Sequence, residues 1–361
     1  MSTDFFPEAI AEQSTEDSVS SVFHLIYNFA PPPNTYLALN LQWPTHDIPT
    51  NYPRYLLSWH TEYMDVDWLV TQCQRVYPRP VLCVTDWPCD AASFCINNLE
   101  CVTYSTFAAQ INILVEHFGI SQNIVPPQYK LSSLSSRITQ YKKFITAYLL
   151  KNFDHEHMML SWHAKLRKQD DNHGHPPGWP ELDCLDFDQL NTEHFVNHQW
   201  DGFAPGFKPI DNGNWNVPGI NLCAVNCTNE TWHYNRTIWQ GRAFEYPGPY
   251  LTEKTMKPLI AGRAVLAVGQ YQSHAWLAHL GFSNDYGFDL AFDNDDGDLS
   301  RIIKLFRVLD QINSTPLDDL YQRTLAACTY NLNWIKSGKL LEHTNVLNHA
   351  ARQQIMDWAN K

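Results

Sequence analysis

The 361-residue chain lacks the long apolar run that a membrane span requires. A transmembrane helix needs about 20 consecutive apolar residues, and no stretch of the sequence approaches that length. The opening residues, Met-Ser-Thr-Asp-Phe-Phe-Pro-Glu, also lack the basic and apolar segments of a secretory signal. The sequence therefore predicts no membrane span, and the expected location is the cytoplasm, or the host cytoplasm for a viral protein.

Basic residues are scarce as well. The 25 Lys and Arg stand against 38 Asp and Glu, which leaves a net charge of −13 at pH 7. Broad electrostatic binding to nucleic acid depends on Lys and Arg that neutralise phosphates. The composition therefore weighs against such binding, although a local basic groove is still compatible with it.

Ordered metal-binding and disulfide motifs are missing too. The nine cysteines are irregularly spaced, odd in number and form no CxxC pair, which predicts buried or free thiols. No HExxH motif accompanies the clustered histidines His155, His157, His163, His173 and His175. The acidic stretch Asp293–Asp298 lacks the ligand register and the final Glu of a calcium loop. We expect no metal site and no cofactor.

What the sequence does have is an alternation of short apolar strands with helices. Such alternation predicts an α/β fold with parallel sheets and helical crossovers. The main expected strands are residues 55–59, 80–85, 99–103, 129–133, 158–162, 220–226 and 264–268. The main expected helices are residues 66–76, 107–118, 140–152, 276–279, 301–312, 317–337 and 340–358, with one more starting at Glu253.

Shifts in composition predict the domain organisation. Residues 1–20 are acidic and Ser-rich, which is typical of a flexible tail. Pro126-Pro127 marks a linker, so we expect two α/β domains, over residues 21–127 and 128–315. The second contains a polar, Pro- and Gly-rich insertion at about 165–215, and C-terminal helices occupy residues 316–361.

One segment combines charges and hydroxyls where a loop is expected to enter a helix: Tyr250-Leu-Thr-Glu-Lys-Thr-Met-Lys-Pro-Leu-Ile-Ala-Gly262. Thr252 is placed to cap that helix, and Glu253 suits the positive end of its dipole. A carboxylate fixed there can accept hydrogen bonds from two vicinal hydroxyls, as on a ribose, while Lys254 and Lys257 lie near enough to meet a phosphate. The spacing is equally typical of a capped surface helix with a charge pair between Glu253 and Lys257.

A second segment, Leu131-Ser-Ser-Leu-Ser-Ser-Arg137-Ile-Thr-Gln-Tyr-Lys142-Lys143, is typical of a strand, a Ser-rich turn and a basic helix start. Small residues let backbone amides approach an anion, and the Arg137 guanidinium can clamp a pyrophosphate. A Ser-capped helix with solvated bases explains the same pattern.

A third segment, Asn221-Leu-Cys-Ala-Val-Asn-Cys-Thr-Asn-Glu230-Thr231, is an apolar strand that ends in polar side chains. Ligands of open α/β sheets bind at the carboxyl ends of the strands, which makes Glu230 and Thr231 candidate ligand-binding residues. Ordinary loop polarity at a strand end is the alternative.

Taken in chain order, over roughly residues 129–310, the three segments resemble the donor-binding half of GT-B glycosyltransferases. The string Thr-Glu-Lys-Thr-x-Lys-Pro is similar to the signature of the α1,3-fucosyltransferase family and of its relatives in phages and marine bacteria. The resemblance implies a GT-B fold, in which two Rossmann-like domains face each other across a cleft. It also implies metal-independent transfer of a sugar from a nucleoside-diphosphate sugar, a co-substrate, to an acceptor hydroxyl.

The same resemblance implies roles for particular residues. Glu253 would hold the donor ribose beside Thr252, and Glu230 and Thr231 would line the donor pocket. The diphosphate would meet basic residues, namely Lys254, Lys257, Arg137 and Lys142. The phage relatives carry more arginines in the turn at Arg137, and Lys is a point charge rather than a fork. That departure keeps open a second hypothesis, a non-catalytic viral structural or host-interaction protein with this fold.

The acceptor side is predicted less directly. An inverting transferase needs a base that takes the proton of the attacking hydroxyl. Glu62, His60 and Asp86 follow expected strands of the first domain, and we rank them in that order as candidate bases. Each is also typical of a loop residue that caps the next helix. The acceptor itself stays open among glycans, lipid-linked sugars and hydroxymethylated pyrimidines of viral DNA.

Overall fold

The computed structural model describes residues 37–40, 47–59, 66–86, 96–135, 140–162, 220–230, 236–239, 242–245 and 249–360. In chain order its strands and α-helices are β1 (Leu37–Asn40), β2 (Tyr55–Trp59), α1 (Val66–Val76), β3 (Val81–Thr85), β4 (Leu99–Thr103), α2 (Phe107–Phe118), β5 (Tyr129–Ser135), α3 (Gln140–Asn152), β6 (Met158–Trp162), β7 (Cys223–Asn229), β8 (Arg236–Trp239), β9 (Arg242–Glu245), α4 (Glu253–Ile260), β10 (Ala264–Val268), α5 (Ser273–His279), α6 (Asp298–Ser314), α7 (Leu317–Lys336) and α8 (Lys339–Asn360).

The described residues form two compact units. The first contains those up to Gln110, Ala243–Glu245 and those from Glu342 onward, and the second contains the described residues between Ile111 and Leu341 other than Ala243–Glu245. Each unit contains a parallel sheet with helices. The chain is therefore an α/β protein compatible with a Rossmann-like fold, which confirms the expected class at this level.

The sheet of the first unit keeps the order of the chain. Its strands β1, β2, β3 and β4 are parallel neighbours. The central strand β3 is buried throughout and uniformly apolar up to Thr85, as expected for a parallel strand that is covered on both faces. The C-terminal helix α8 contributes Ala351, Ile355 and Trp358 to the apolar cluster that covers Leu56 and Leu82.

The sheet of the second unit reverses its order. The spatial sequence is β10-β7-β5-β6, and all four strands are parallel. Counted along the chain this is the order 2-1-3-4, so β6 lies on one side of β5 while β7 and β10 lie on the other. Doubly wound sheets of this kind have a topological switch point where the order reverses. Here that point falls between β5 and β7.

Helices surround the second sheet and supply its core. α4 and α7 pack against β7 and β10, while α6 packs against α3 and β5. A large apolar cluster includes Leu131 of β5, Val225 of β7 and Leu266 of β10 together with Ile145 of α3 and Leu309 of α6. This packing fixes the starts of α3 and α4 relative to the strand ends, which is the part of the fold that matters for the site.

Most elements lie where the sequence predicts them, but β7 does not. The expected strand covered residues 220–226, whereas β7 spans Cys223–Asn229. Its polar end continues as a strand because the side chains find buried partners. Thr228 lies 3.1 Å from the Thr255 hydroxyl, and Asn229 donates to Ser133 at 2.9 Å.

Candidate functional site

The strongest candidate site lies at the carboxyl edge of the second sheet, beside its switch point. β7 ends there and leads into Glu230, and β10 ends there and leads into Gly269. A Cβ atom on Gly269 would lie 3.4 Å from the Cβ and Cγ atoms of Glu230. The two strand ends are thus in close contact, in the region where open α/β sheets bind ligands.

Glu230 is the centre of this edge. Its side chain is fully buried, and both carboxylate oxygens accept hydrogen bonds. Oε1 accepts from the Thr255 hydroxyl at 2.5 Å and from the Thr252 backbone N–H at 3.2 Å, and Oε2 accepts from the Thr252 hydroxyl. Burial raises the pKa of Glu230, while Lys254 and the two threonine hydroxyls act against this rise. The carboxylate therefore ties β7 to the start of α4.

The start of α4 has the predicted cap. Thr252 adopts an extended conformation and accepts from the Lys254 N–H at 3.3 Å, and Glu253 occupies the first turn. The alternative of an ordinary surface helix is wrong, because every residue from Thr255 to Ile260 is buried. α4 is thus an internal helix whose first turn alone carries partly exposed charges.

Glu253 and Lys254 are these exposed charges. Their side chains are 30% and 24% exposed, and the Lys254 Nζ lies 3.4 Å from a Glu253 carboxylate oxygen. Burial tends to raise the pKa of Glu253, but Lys254 and Lys257 outweigh it, so that this pKa lies below its usual value. Glu253 is therefore an ionised acceptor next to an ammonium group, a combination suited to a ligand with both hydroxyls and phosphates.

Lys257 lies one turn further into α4, and its residue is only 3% exposed. Burial lowers the pKa of Lys257 to about 7, although Glu253 and Glu230 favour its charged form. Near pH 7 the side chain is therefore balanced between its amine and ammonium forms. In the ammonium form it helps to lower the pKa of Glu253.

The start of α3 reaches the same edge. The Tyr141 hydroxyl donates to the backbone carbonyl of Glu230. The neighbouring Lys142 is buried, and its Nζ lies 5.7 Å from the centre of the Tyr141 ring. The expectation of solvated bases at this helix start is therefore wrong for Lys142. Arg137 and Thr231 lie outside the described residues.

Polar side chains also join β5 to β7 below this edge. The Ser132 hydroxyl donates to Asn226 Oδ1 at 2.6 Å, and the Asn229 amide donates to the Ser133 hydroxyl at 2.9 Å. These four side chains are all buried. Two side-chain hydrogen bonds thus join the two strands that flank the switch point.

The acceptor-side candidates are described only in part. Asp86 follows β3, is 8% exposed and accepts from both the N–H and the hydroxyl of Thr106, each at 2.6 Å. Thr106 immediately precedes α2, so these bonds hold the turn between β4 and α2. Glu62 and His60 lie outside the described residues. The choice of base stays a prediction.

Two further features concern possible metal ligands and membrane-spanning helices among the described residues. They contain no group of three or more His, Cys, Asp and Glu placed to hold a metal ion. His155 contacts the Leu150 carbonyl at 2.8 Å and His157 contacts Asp154 at 2.7 Å, while His163, His173 and His175 lie outside the described residues. No described helix is long and apolar enough to cross a membrane.

Fold and site together define a class: an α/β protein with charged side chains at the carboxyl edge of a doubly wound sheet, where such proteins bind ligands. Comparisons with known proteins do not narrow this class, because no family model, no curated protein and no solved structure matches the chain.

Proposed function

We propose that the chain is a glycosyltransferase that moves a sugar from a nucleoside-diphosphate sugar to an acceptor hydroxyl, with the donor held at the carboxyl edge of the second sheet. One observation carries the proposal. Three sequence segments that suggested donor binding, far apart along the chain, converge on Glu230. α3 contacts its backbone through Tyr141, and the cap of α4 contacts its carboxylate through Thr252.

The charges at this edge suit the two polar parts of such a donor. The ionised Glu253 carboxylate accepts hydrogen bonds from the ribose hydroxyls, and Lys254 binds the diphosphate beside the positive end of the α4 dipole. Lys257 in its protonated form lowers the pKa of Glu253 further. These basic groups can neutralise a leaving diphosphate without a metal ion, and Arg137 and Lys142 stay predicted contributors.

Glu230 has a different role from the one that the resemblance implies. Its carboxylate oxygens are occupied by Thr252 and Thr255. We therefore assign it the task of holding the cap of α4, which sets the positions of Glu253 and Lys254, instead of direct contact with the donor.

The proposal is tested by calorimetric titration of the full chain with nucleoside diphosphates and nucleotide sugars. The nucleotide that the natural chain binds is then titrated into Glu253→Ala. Its affinity should fall by about tenfold or more, because a charge-assisted hydrogen bond contributes about 1.5–3 kcal/mol. Asp319→Ala is the matched control. It removes an exposed carboxylate from the first turn of α7, and the segment before α7 meets the opposite edge of the sheet, where Asn313 accepts from Lys130 of β5.

Two results would contradict the proposal: no binding of any of these nucleotides, or an affinity that Glu253→Ala leaves unchanged. A transfer assay then identifies the acceptor by comparing glycans, lipid-linked sugars, ordinary DNA and DNA with hydroxymethylated pyrimidines. Transfer to the last alone would make the chain a DNA-modifying transferase. Binding without transfer to any acceptor would favour the non-catalytic alternative.

A further inference from the structure

Gln270 is a buried polar residue at the same sheet edge that no sequence motif marks. It follows Gly269 directly after β10 and is 2% exposed. Its backbone carbonyl accepts from the Ser273 hydroxyl at 2.7 Å and from the Ser273 N–H at 3.3 Å. Its position is therefore fixed at the turn between β10 and α5.

The side-chain carboxamide of Gln270 is also fixed. Its Oε1 accepts from the Tyr250 N–H at 3.0 Å. A half-turn of the carboxamide would place the amino group against that N–H and lose the bond. The orientation with Nε2 on the far side from Tyr250 is thus the stable one.

The Nε2 amino group in this orientation is buried and has no hydrogen-bond partner in the part of the chain that the structure describes. Buried donors are nearly always paired, and one without a partner lowers stability. A donor held in place at such a cost is typical of a group that a ligand completes.

Gln270 belongs to the candidate site through its neighbours on both sides. Gly269 packs against the Glu230 side chain, and Tyr250 opens the segment that leads through Thr252 into α4. Thr252 in turn is bonded to Glu230. One chain of contacts therefore links the Gln270 carboxamide to the turn that carries Glu253.

We propose that Gln270 is a further ligand-binding residue of this site and that its Nε2–H donates a hydrogen bond to an oxygen of the nucleotide sugar. A neutral amide suits either a phosphate oxygen or a hydroxyl of the transferred sugar, and both belong to the same ligand. The inference rests on the proposed function, because that function supplies an oxygen-rich ligand at this edge.

Two substitutions separate the hydrogen bond from other effects. Gln270→Glu keeps an oxygen that accepts from Tyr250 but replaces the amino donor with a negative acceptor. Gln270→Met keeps the size and neutrality of the side chain and removes both the amino donor and the oxygen that accepts from Tyr250, and the unfolding measurement shows what the second loss costs. The matched control is Gln122→Glu, at an exposed position of the same unit. Each chain is titrated with a nucleoside diphosphate and with the corresponding nucleotide sugar, and its thermal unfolding is measured without ligand.

Both Gln270 variants should bind the nucleotide sugar about tenfold more weakly, which is the effect of one lost hydrogen bond to a buried donor. Gln122→Glu should leave this affinity unchanged. An equal loss for the nucleoside diphosphate places the contact on a phosphate, and a loss confined to the nucleotide sugar places it on the sugar. If Gln270→Glu fails to fold, Gln270→Met decides alone; if Gln270→Met fails to fold, Gln270→Leu, a second neutral residue without a donor, takes its place.

Unchanged affinity in Gln270→Met would overturn the inference, since any loss in Gln270→Glu would then come from charge repulsion. The proposed function would survive that result if Glu253→Ala still weakened binding. If the natural chain bound no nucleotide, the proposed function and this inference would both be wrong.

Discussion

The two sheets of this protein use their carboxyl edges differently. At the edge of the first sheet, Asp86 is bonded to Thr106 and stabilises a turn. At the edge of the second sheet, Glu230 is bonded to Thr252 and Thr255 and anchors a helix whose first turn presents Glu253 and Lys254. A buried carboxylate thus supports the backbone in both sheets, but among the residues that the structure describes only the second one supports further charges.

The order of the strands explains part of this difference. The described strands of the first sheet follow chain order, whereas the second sheet reverses between β5 and β7. At a reversal the connections leave in opposite directions, which opens a crevice at the strand ends. Charged side chains there can remain partly solvated and still be held by buried partners.

The largest test of the comparison removes each anchoring carboxylate. Glu230→Ala leaves one N–H and two hydroxyls without their acceptor in a fully buried place, so it should destabilise the second unit by about 3 kcal/mol. Asp86→Ala removes the acceptor of two groups, the N–H and the hydroxyl of Thr106, and should destabilise the first unit by about 1–2 kcal/mol. Hydrogen exchange of peptides from β7 and β10, compared with β3 and β4, measures each unit separately.

Glu230→Gln is the control for that experiment, because it keeps one carbonyl acceptor and should lose less stability than Glu230→Ala. The comparison between the edges would fail if Asp86→Ala reduced protection as much as Glu230→Ala. It would also fail if the loss in Glu230→Ala were confined to α4 and spared β7.

The next test concerns pH, through the buried Lys257. Its pKa is lowered from 10.5 to about 7 in the folded chain. Between these values the unfolded chain holds a proton that the folded chain lacks, so this group makes stability rise with pH. Lys257→Met should therefore stabilise the second unit most at neutral and lower pH, and its advantage should shrink by about 2 kcal/mol between pH 7 and pH 9.

The measurement for Lys257 is hydrogen exchange of β7 and β10 peptides at several pH values, corrected for the intrinsic exchange rate. The free energy of unfolding of the natural chain is subtracted from that of Lys257→Met at each pH. This difference cancels the contributions of other titrating groups, such as the buried thiols of Cys223 and Cys227, whose pKa values burial raises. A difference that stays constant from pH 7 to pH 9 would show that Lys257 keeps its proton in the folded chain.

Much of the fold was predictable from the sequence because it depends on local pattern. The bounds of β2, β4, β6 and β10 and of α1, α2 and α3 agree with the prediction. The polar end of β7 was not predictable, since Thr228 and Asn229 form a strand only because Thr255 and Ser133 supply buried partners. Local sequence carries no information on such distant contacts.

The candidate site was predictable in its parts but not in its assembly. The cap at Thr252 follows from residue types and is confirmed. The burial of Lys142 and Lys257 was not foreseen, because lysines are mostly exposed and only tertiary packing reverses this. Gln270 was missed for a related reason: a Gly-Gln pair after a strand is common turn composition, and its fixed carboxamide depends on Tyr250.

The smallest effect on stability is expected for the partly exposed charges. Lys254→Met breaks the contact with Glu253, and Arg75→Met breaks the ion pair with Asp47 at 2.9 Å in the first unit. Exposed ion pairs contribute about 0–1 kcal/mol, so neither change should alter the unfolding of its own unit by more. Only Lys254→Met should weaken nucleotide binding, by about tenfold, because only its charge lies at the switch-point edge. Titration of both variants with the same nucleotide checks this contrast, and equal affinities would return Lys254 to the role of an ordinary surface charge.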